Sequence, residues 1–304
     1  MNSAFTKSSK NPVLGPGLGT CFDISVLVED STFQMWFSWR DKKAIALVES
    51  SDGLNWTKEP RIVVTIPSFL QRVFFGLKHE DVSRPCVILH QGRYHLWYSI
   101  HARTISIAYA VSEDGIAWKQ RTKPVLSPDR PWEKDAIMCP CVIYDDQERV
   151  FKMWYSGGEK YEPDALGYAT SPDGITWQKH PMNPIFKPDP LSSWEKDRVT
   201  AMHVMKDSGY YLGFYIGFAN GFENSCIGMA RSKDGIHDWE RYEGNPILAP
   251  GPSGSWDDCN VYKPYVIHHK GKWMLWYNAS RHSDRAEQIG LATCDQVDFW
   301  SAKK

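Results

Sequence analysis

The stretch Lys152-Met153-Trp154-Tyr155-Ser156, followed by Gly167-Tyr168-Ala169-Thr170-Ser171-Pro172-Asp173-Gly174-Ile175-Thr176-Trp177, decides the fold. It joins an aromatic run to a β-rich run that ends in an Asp-Gly turn. The Asp-Gly turn recurs about every sixty residues, with a degenerate fifth copy at Asp295. The four complete copies start at Asp52, Asp114, Asp173 and Asp234. Repeats of this length are typical of solenoids and propellers.

The other parts of the repeat keep the same order. The aromatic run recurs at 34–38, 95–99, 152–156, 211–215 and 273–277, and a Pro-led segment such as 183–186 follows each Asp-Gly turn. Short runs of β-branched and aromatic residues between Gly, Asp and Asn turns are strands and hairpins. The pattern predicts an all-β fold, a five-bladed β-propeller with four antiparallel strands per blade. Residues 1–304 then form one domain, with blades at approximately 11–59, 60–122, 123–182, 183–244 and 245–300.

Composition narrows the range of functions. The net charge of −1 does not favour a nucleic-acid partner. No apolar stretch approaches the roughly twenty residues of a membrane span, and the N-terminus lacks the apolar region of a secretory signal. The seven cysteines are scattered and odd in number, which indicates buried free thiols in a cytoplasmic protein. No metal-ligand motif or cofactor is predicted, and the sequence leaves the oligomeric state open.

The repeated tryptophans and aspartates are expected to be structural. Trp36, Trp97, Trp154 and Trp276 occupy the same place in different repeats, whereas a sugar platform is needed only once. We therefore expect them to pack between blades. In each Asp-Gly turn the glycine supplies a positive φ and the aspartate bonds the local backbone, so these aspartates are not counted as catalytic.

Residues that differ between the repeats indicate the site. In a propeller, the starts of the innermost strands and the loops after the second strands converge on one axial funnel. The predicted catalytic residues there are Asp23, Glu80, Asp81 and Asp135. The predicted substrate-binding residues are Arg84, Asp197, Arg198, His203, Asn260, Tyr262, Lys263, Arg40, His101, Glu159 and Arg281. Paired carboxylates with Arg, His and Tyr fit a carbohydrate site. Glu133, Glu195 and Asp257 recur in register. For these three acids, a structural role in which they bind local backbone or a neighbouring lysine is expected equally with a role in the site.

With these repeats the chain resembles the five-bladed propeller glycosidases, the group of glycoside hydrolase and phosphorylase families 43, 32, 68 and 130. The resemblance covers essentially the whole chain and rests on scaffold repeats. It implies that Asp23 is the nucleophile or base. Arg84 stands where the family has an Asp before Pro, and Met138 where the invertase-like branch has its general-acid Glu. Glu80, Asp81 or Asp135 is then expected to supply the acid.

Three functions remain open at this point. The first is a glycosidase that acts on a small glycoside, oligosaccharide or sugar conjugate. The second is a phosphorylase-like or otherwise altered sugar-processing enzyme, in which Arg84, Arg198, Lys263 and Arg281 form a pocket for phosphate or carboxylate. The third is a carbohydrate-binding propeller without activity, which the methionine at position 138 would explain.

Overall fold

The computed structural model describes residues 4–66, 81–159, 163–221, 223–295 and 299–300. These residues form β-strands β1 to β20 and two 3₁₀ helices, Arg40–Lys42 and Pro131–Glu133. Within these ranges, no helix has the length and apolar character needed to cross a membrane. The chain is therefore all-β where it is described.

The strands form five antiparallel arrays of four, called arrays 1 to 5. Array 1 contains β2 (Cys21–Glu29), β3 (Thr32–Trp39), β4 (Ala44–Ser50) and β5 (Arg61–Thr65). Array 2 contains β6 (Asp81–His90), β7 (Arg93–His101), β8 (Ile105–Ser112) and β9 (Lys119–Gln120). Array 3 contains β10 (Ala136–Asp145), β11 (Val150–Gly158), β12 (Pro163–Ser171) and β13 (Gln178–Lys179). Array 4 contains β14 (Arg198–Asp207), β15 (Tyr210–Phe218), β16 (Cys226–Ser232) and β17 (Glu240–Arg241). Array 5 contains β18 (Asn260–His269), β19 (Lys272–Ser280), β20 (Glu287–Cys294) and β1 (Thr6–Lys7).

Two features of the sheet topology were not visible in the repeat. Array 5 takes its outer strand from the N-terminal end of the chain, since β1 pairs with β20 with Thr6 opposite Thr293. A single parallel bridge between Ala136 and Ile105 merges arrays 2 and 3 into one eight-stranded sheet. Arrays 1, 4 and 5 are separate four-stranded sheets, so side chains must supply most of the contact between arrays.

The repeated tryptophans join neighbouring arrays, as the sequence predicts. The indole N–H of Trp36 donates to Gly115 O (3.1 Å), that of Trp97 to Gly174 O (2.8 Å), that of Trp154 to Gly235 O (2.7 Å) and that of Trp276 to Gly53 O (2.9 Å). Each bond runs from one second strand to an Asp-Gly turn of another array, and the last one joins array 5 to array 1. Array 4 has Phe214 at the same register position, opposite His203. Array 5, which follows it, lacks a complete Asp-Gly turn.

The Asp-Gly turns have the local geometry expected of them. In the third copy, Asp173 Oδ1 accepts the backbone N–H groups of Ile175 (2.8 Å) and Thr176 (2.7 Å). Gly174 has φ +72°, and a Cβ there would lie 2.8 Å from the Trp97 ring. Glycine is required at this position both for the left-handed backbone and for the close approach of the indole. The prediction that these aspartates form turns is confirmed.

The Pro-led segments bind the third strand of the array that precedes them. The backbone bonds are Val13 N to Ile289 O (2.8 Å), Val125 N to Ile107 O (2.8 Å), Ile185 N to Leu166 O (2.8 Å) and Ile247 N to Ile227 O (2.9 Å). The approximate blade limits drawn from the sequence place each segment at the start of a blade. Hydrogen bonding instead attaches segment 11–14 to array 5 and each later segment to the array before it.

Side-chain contacts connect the innermost strands of successive arrays, from array 1 to array 5 and from array 5 back to array 1. Val87 N donates to Ser25 Oγ (2.9 Å), Val142 N to Cys86 Sγ (3.2 Å), Val204 N to Cys141 Sγ (3.1 Å), and His203 Nε2 donates to Val266 O (2.9 Å). The Tyr265 hydroxyl hydrogen bonds with Ser25 and with the backbone of Val26. In each case a side chain of one array bonds the backbone of the next. We call Ser25, Cys86, Cys141, His203 and Tyr265 the axial ring.

Candidate functional site

Each innermost strand contains a β-bulge, which lies two residues before the axial-ring residue of that strand. The bulge residues all have positive φ: Asp23 (47°), Arg84 (58°), Cys139 (54°), Ala201 (49°) and Lys263 (48°). The register of each first strand against its second strand shifts at this point. A bulge redirects a side chain out of the normal alternation of a strand. These five positions therefore hold the variable residues at equivalent places around the axis.

Polar side chains on the second strands hold these bulges. Ser38 Oγ accepts the backbone N–H of Arg84 (2.8 Å), Ser99 Oγ that of Cys139 (3.3 Å) and Ser156 Oγ that of Ala201 (2.8 Å). Each serine comes two residues after a repeated tryptophan, so the sequence does carry a signal for this contact. In array 5 the equivalent residue is an asparagine, Asn278, opposite Tyr262. It was missed at the sequence level.

Asp23 occupies the bulge of array 1 and is almost fully buried, with 3% of its surface exposed. Asn278 Nδ2 donates to its Oδ1 at 2.9 Å, and the Arg84 Nε lies 3.3 Å from its Oδ2. The three residues come from arrays 5, 1 and 2. Asn278, which replaces the serine in array 5, therefore binds Asp23, the carboxylate that differs from the repeat. Asn278 and Arg84 contact different oxygens of the Asp23 carboxylate and so orient it from two sides.

Arg84 links this carboxylate to a histidine. Its Nη1 donates to Ser83 Oγ (3.0 Å) and to His101 Nε2 (3.0 Å). A guanidinium only donates hydrogen bonds, so His101 Nε2 is the acceptor in this contact.

Asp81 begins β6 opposite His101 and has the electrostatic setting of a proton donor. Its Oδ1 is buried and has no hydrogen-bond partner within the described part of the chain. Burial raises the pKa of its carboxyl group, and the positive charges of Arg40 and Arg84 oppose this only in part. Asp23, Asp81, Arg84, His101 and Asn278 are called the Asp23 cluster below.

The cluster continues into a second group of polar residues. Glu287 accepts hydrogen bonds from Arg40 Nη2 (2.7 Å) and from the Tyr262 hydroxyl (2.6 Å). Burial, the Glu287 carboxylate and the nearby Asp23 raise the pKa of Tyr262 well above its ordinary value. Glu287 was not among the residues predicted from the sequence. It starts a third strand, whereas the predicted residues lie at the starts of first strands and in the loops after second strands.

The bulges of arrays 3 and 4 lie in apolar surroundings. Met138, Cys139, Ala201, Ile216 and Phe218 form one buried cluster with Ile105 and Ala136. Met138 is fully buried, at the place where the resemblance implies a general acid. No acid therefore stands at that position of array 3, and the bulge residues of arrays 3 and 4, Cys139 and Ala201, carry no charge-bearing side chain of the Asp, Glu, Lys or Arg type.

The structure distributes the remaining predicted site residues over several places. Arg198 lies near Asp197 (3.4 Å) and Asp164 (3.9 Å), and Lys134 binds Asp164 (2.6 Å) and Glu159 (3.4 Å). Asn260 Oδ1 accepts hydrogen bonds from Ser225. Arg281 is exposed and pairs with Asp284, and Asp135 is also exposed. Glu80 lies outside the described residues.

Two predicted binding residues lie deeper on the axis. His203 belongs to the axial ring, where burial lowers its pKa to about 4. Lys263 lines the cavity beyond the bulges, together with His203. Neither has a hydrogen bond or ion pair with the described residues of the Asp23 cluster.

The three acids that recur at the starts of the arrays bind neighbouring cations. The ion pairs are Glu133 with Lys179 (2.6 Å), Glu195 with Arg241 (2.8 Å) and Asp257 with Lys7 (2.5 Å). Glu133 also accepts the backbone N–H groups of Asp129 and Arg130. These contacts support the structural alternative for all three. All seven cysteines are buried free thiols, and within the described ranges no group of three or more His, Cys, Asp or Glu could hold a metal ion.

The setting of Asp81 gives a pH-dependent prediction. Asp81→Asn is expected to raise the melting temperature at neutral pH. The raised pKa means that the folded state holds its proton more tightly, so ionisation above the unfolded value near 3.8 destabilises the fold. The gain should fade as the pH falls toward that value, because both states are then protonated. Thermal unfolding of wild type and variant across this range, with the exposed Asp135→Asn as control, is the measurement. A lower melting temperature for Asp81→Asn at neutral pH would contradict the argument.

Comparison with known proteins gives matches to carbohydrate-active enzymes. Residues 84–209 match the profile of the glycosyl hydrolases family 32 N-terminal domain. The chain is 31% identical over 201 residues to a beta-1,2-mannobiose phosphorylase of Thermoanaerobacter, covering 60% of this chain and 63% of the phosphorylase. It is 28% identical over 171 residues to the A type blood N-acetyl-alpha-D-galactosamine deacetylase of Flavonifractor plautii, covering 51% of this chain and 21% of the deacetylase. The chain thus spans less than two thirds of the length of either relative.

A solved structure shows the same fold over nearly the whole chain. A thermostable family-43 glycoside hydrolase superimposes with a TM-score of 0.70 at 20% identity, covering 92% of this chain and 91% of that one. At this level of identity the match speaks for the fold alone.

Proposed function

Because the chain belongs to the β-propeller glycosidase superfamily, we propose that it hydrolyses a small glycoside, oligosaccharide or sugar conjugate at the Asp23 cluster. The observation that carries the proposal is the presence of two carboxyl groups in different electrostatic settings. Asp23 is bound by an arginine and an amide, whereas Asp81 has a raised pKa and a buried oxygen without a partner among the described residues. Glycoside hydrolysis requires this division of roles between two carboxyl groups.

In the proposed reaction Asp23 is the base or nucleophile and Asp81 is the general acid. Asp23 would act at the anomeric carbon, directly or through a water molecule, while Asp81 gives its proton to the leaving oxygen. Asp81 would then supply the proton that a general-acid glutamate supplies in the invertase-like branch, where this chain has Met138 instead. Glu80 and Asp135 are the alternatives for this acid, and the exposure of Asp135 makes it the weaker one.

The surrounding polar groups are proposed to bind the sugar. Arg40, Tyr262 and Glu287 form a hydrogen-bonded chain beside the two acids and offer both donors and acceptors to hydroxyl groups. The group of Arg198, Asp197 and Glu159 would contact a second part of the substrate. Asn260, Arg281, His203 and Lys263 were predicted to bind substrate as well, and their positions give this less support.

The site requires that all five arrays surround one axis, and we propose that they are the blades of a five-bladed propeller. Three contacts between arrays 5 and 1 support closure of the ring. They are Trp276 with Gly53, Asn278 with Asp23, and Tyr265 with Ser25.

Phosphorolysis is the second candidate, and a specific observation favours it. Arg84 stands at a bulge of the Asp23 cluster, and arginine is a residue type that commonly binds phosphate. The match with a mannobiose phosphorylase points in the same direction. In this case phosphate would replace water as the nucleophile.

A product assay separates the candidates. The purified protein is incubated with a panel of disaccharides and aryl glycosides, with and without inorganic phosphate, and the products are identified by mass. Hydrolysis predicts free sugar at a rate that phosphate does not change. Phosphorolysis predicts a sugar phosphate and no turnover without phosphate. Sugar binding by calorimetry without any turnover would reject both and identify a binding module.

A further inference from the structure

The axial cavity has a character unlike that of the Asp23 cluster. It has a volume of about 490 Å³ and is lined by the innermost strands of all five arrays, from the residue after the bulge in arrays 1 to 4 and from Lys263 in array 5. Its walls consist largely of valine, isoleucine and proline. It lies on the other side of the bulges from the strand starts that carry Asp81, and Asp23 and Arg84 are not among its lining residues.

The cavity lining contains basic residues but no acidic ones. Its basic residues are Lys206, Lys263, His203, His268 and His269, and no aspartate or glutamate lines it. Lys206 lies toward the far end of β14 and is neutralised by an ion pair with Asp145 at 2.8 Å. Lys263 remains as a positive charge at the level of the axial ring.

Lys263 has no counter-charge within the described part of the chain. It is 6% exposed and its ammonium group has neither an ion pair nor a hydrogen bond with a described residue. Of the five bulge residues it is the one whose side chain lines the axial cavity. A buried ammonium without a partner is costly because it loses hydration and gains nothing in return.

The axial ring does not supply the missing negative charge. Burial raises the pKa of Cys86 to about 12 and that of Cys141 to about 11, so both thiols are neutral at pH 7. Burial lowers the pKa of His203 to about 4, so the imidazole is neutral as well. The Lys263 ammonium contributes to each of these three pKa values, which puts it close to residues of arrays 2, 3 and 4.

We propose that the axial cavity is a second binding site, which takes a small monocarboxylate with an apolar chain. The carboxylate pairs with the Lys263 ammonium and the chain lies against the Val, Ile and Pro walls. This site is separate from the Asp23 cluster, and the proposal does not rest on the proposed enzymatic function. Its occupant joins all five innermost strands and so stabilises the fold.

The probe for this site is sodium octanoate. Binding to the native state should raise the melting temperature in a saturable way, by about 4 °C at a hundred times the dissociation constant. Lys263→Met keeps the approximate length of the side chain but removes the charge. Its dissociation constant for octanoate, measured by calorimetry, should be at least about tenfold higher than that of the wild type, the change expected when a modest ionic contact is lost. Lys119→Met, at an exposed lysine of β9, is the matched control and should bind octanoate like the wild type.

Four further arms make the proposal falsifiable even if Lys263→Met folds poorly. Ile143→Trp fills the cavity and leaves the ammonium in place, so it should also abolish octanoate binding. Equal stabilisation by 1-octanol would show that the ammonium plays no part, and equal stabilisation by chloride would show that the apolar walls play none. In crystals soaked with 8-bromooctanoate, the bromine signal should lie in the axial cavity. A signal only elsewhere, or no binding by the wild type, would overturn the proposal.

Discussion

Asp23→Asn is expected to lower turnover by about 10²–10⁴-fold, the usual contribution of a catalytic base or acid. The substitution removes the charge but keeps the size of the side chain. Asparagine also tolerates the positive φ of 47° that the bulge imposes. The measurement is the initial rate of the purified variant on the substrate found with the glycoside panel, with the melting temperature as a test of folding.

Met138→Leu is the matched control for this experiment. Met138 lies at an equivalent level of array 3 but is fully buried in an apolar cluster, so an apolar replacement of similar volume should leave the rate nearly unchanged. An unchanged rate in Asp23→Asn would reject the role that the resemblance implies. A large rate loss in Met138→Leu would instead show that packing of this apolar cluster controls activity.

Trp154→Ala is expected to reduce the free energy of unfolding by about 3–5 kcal/mol, the range observed when a large buried side chain is truncated. Trp154 is fully buried and packs against Tyr168 at a ring distance of 5.3 Å and Tyr211 at 5.7 Å. Its indole N–H also donates to Gly235 O of array 4 (2.7 Å). The loss therefore combines a cavity between arrays 3 and 4 with an unpaired backbone carbonyl.

Urea unfolding gives the free energy for this variant, and two companions separate its parts. Trp154→Phe removes the N–H but keeps a ring, as in array 4, where Phe214 stands at this position; it should cost about 1–3 kcal/mol. Met182→Ala changes an exposed side chain and should stay within about 0.5 kcal/mol of the wild type. If Trp154→Ala fell within the same narrow range, the tryptophans would not be the contacts that hold the arrays together.

The tryptophan and Asp-Gly pattern was readable from the sequence because both residue types act through local rules. An Asp-Gly pair forms a tight turn wherever it follows a strand, and a large ring repeated at one period must be buried at one kind of interface. Phe214 illustrates the limit of such reasoning. The sequence shows that the fifth repeat lacks an Asp-Gly pair, but only the structure shows that each indole binds the turn of the following array, which explains why array 4 has no tryptophan here.

Asp23 was also found from the sequence, because it breaks the pattern at the start of its strand. Its partners were found only in part. Arg84 was predicted to bind substrate, whereas the structure pairs it with Asp23, and Asn278 and Glu287 were missed. Lys263 and His203 were predicted to lie with the other binding residues but line the axial cavity. The sequence at the start of a strand does not show on which side of a bulge a long side chain lies.

The sequence by itself determined the repeat, the strands and turns within it, and the position of the carboxylate that differs from the pattern. These depend on residues near one another in the chain, where period and turn chemistry act directly. Only the tertiary structure decided which groups meet Asp23, because Asn278 lies 255 residues away and reaches it across the contact between array 5 and array 1. The raised pKa of Asp81 likewise arises mainly from burial, which depends on the packing of the strands rather than on local sequence.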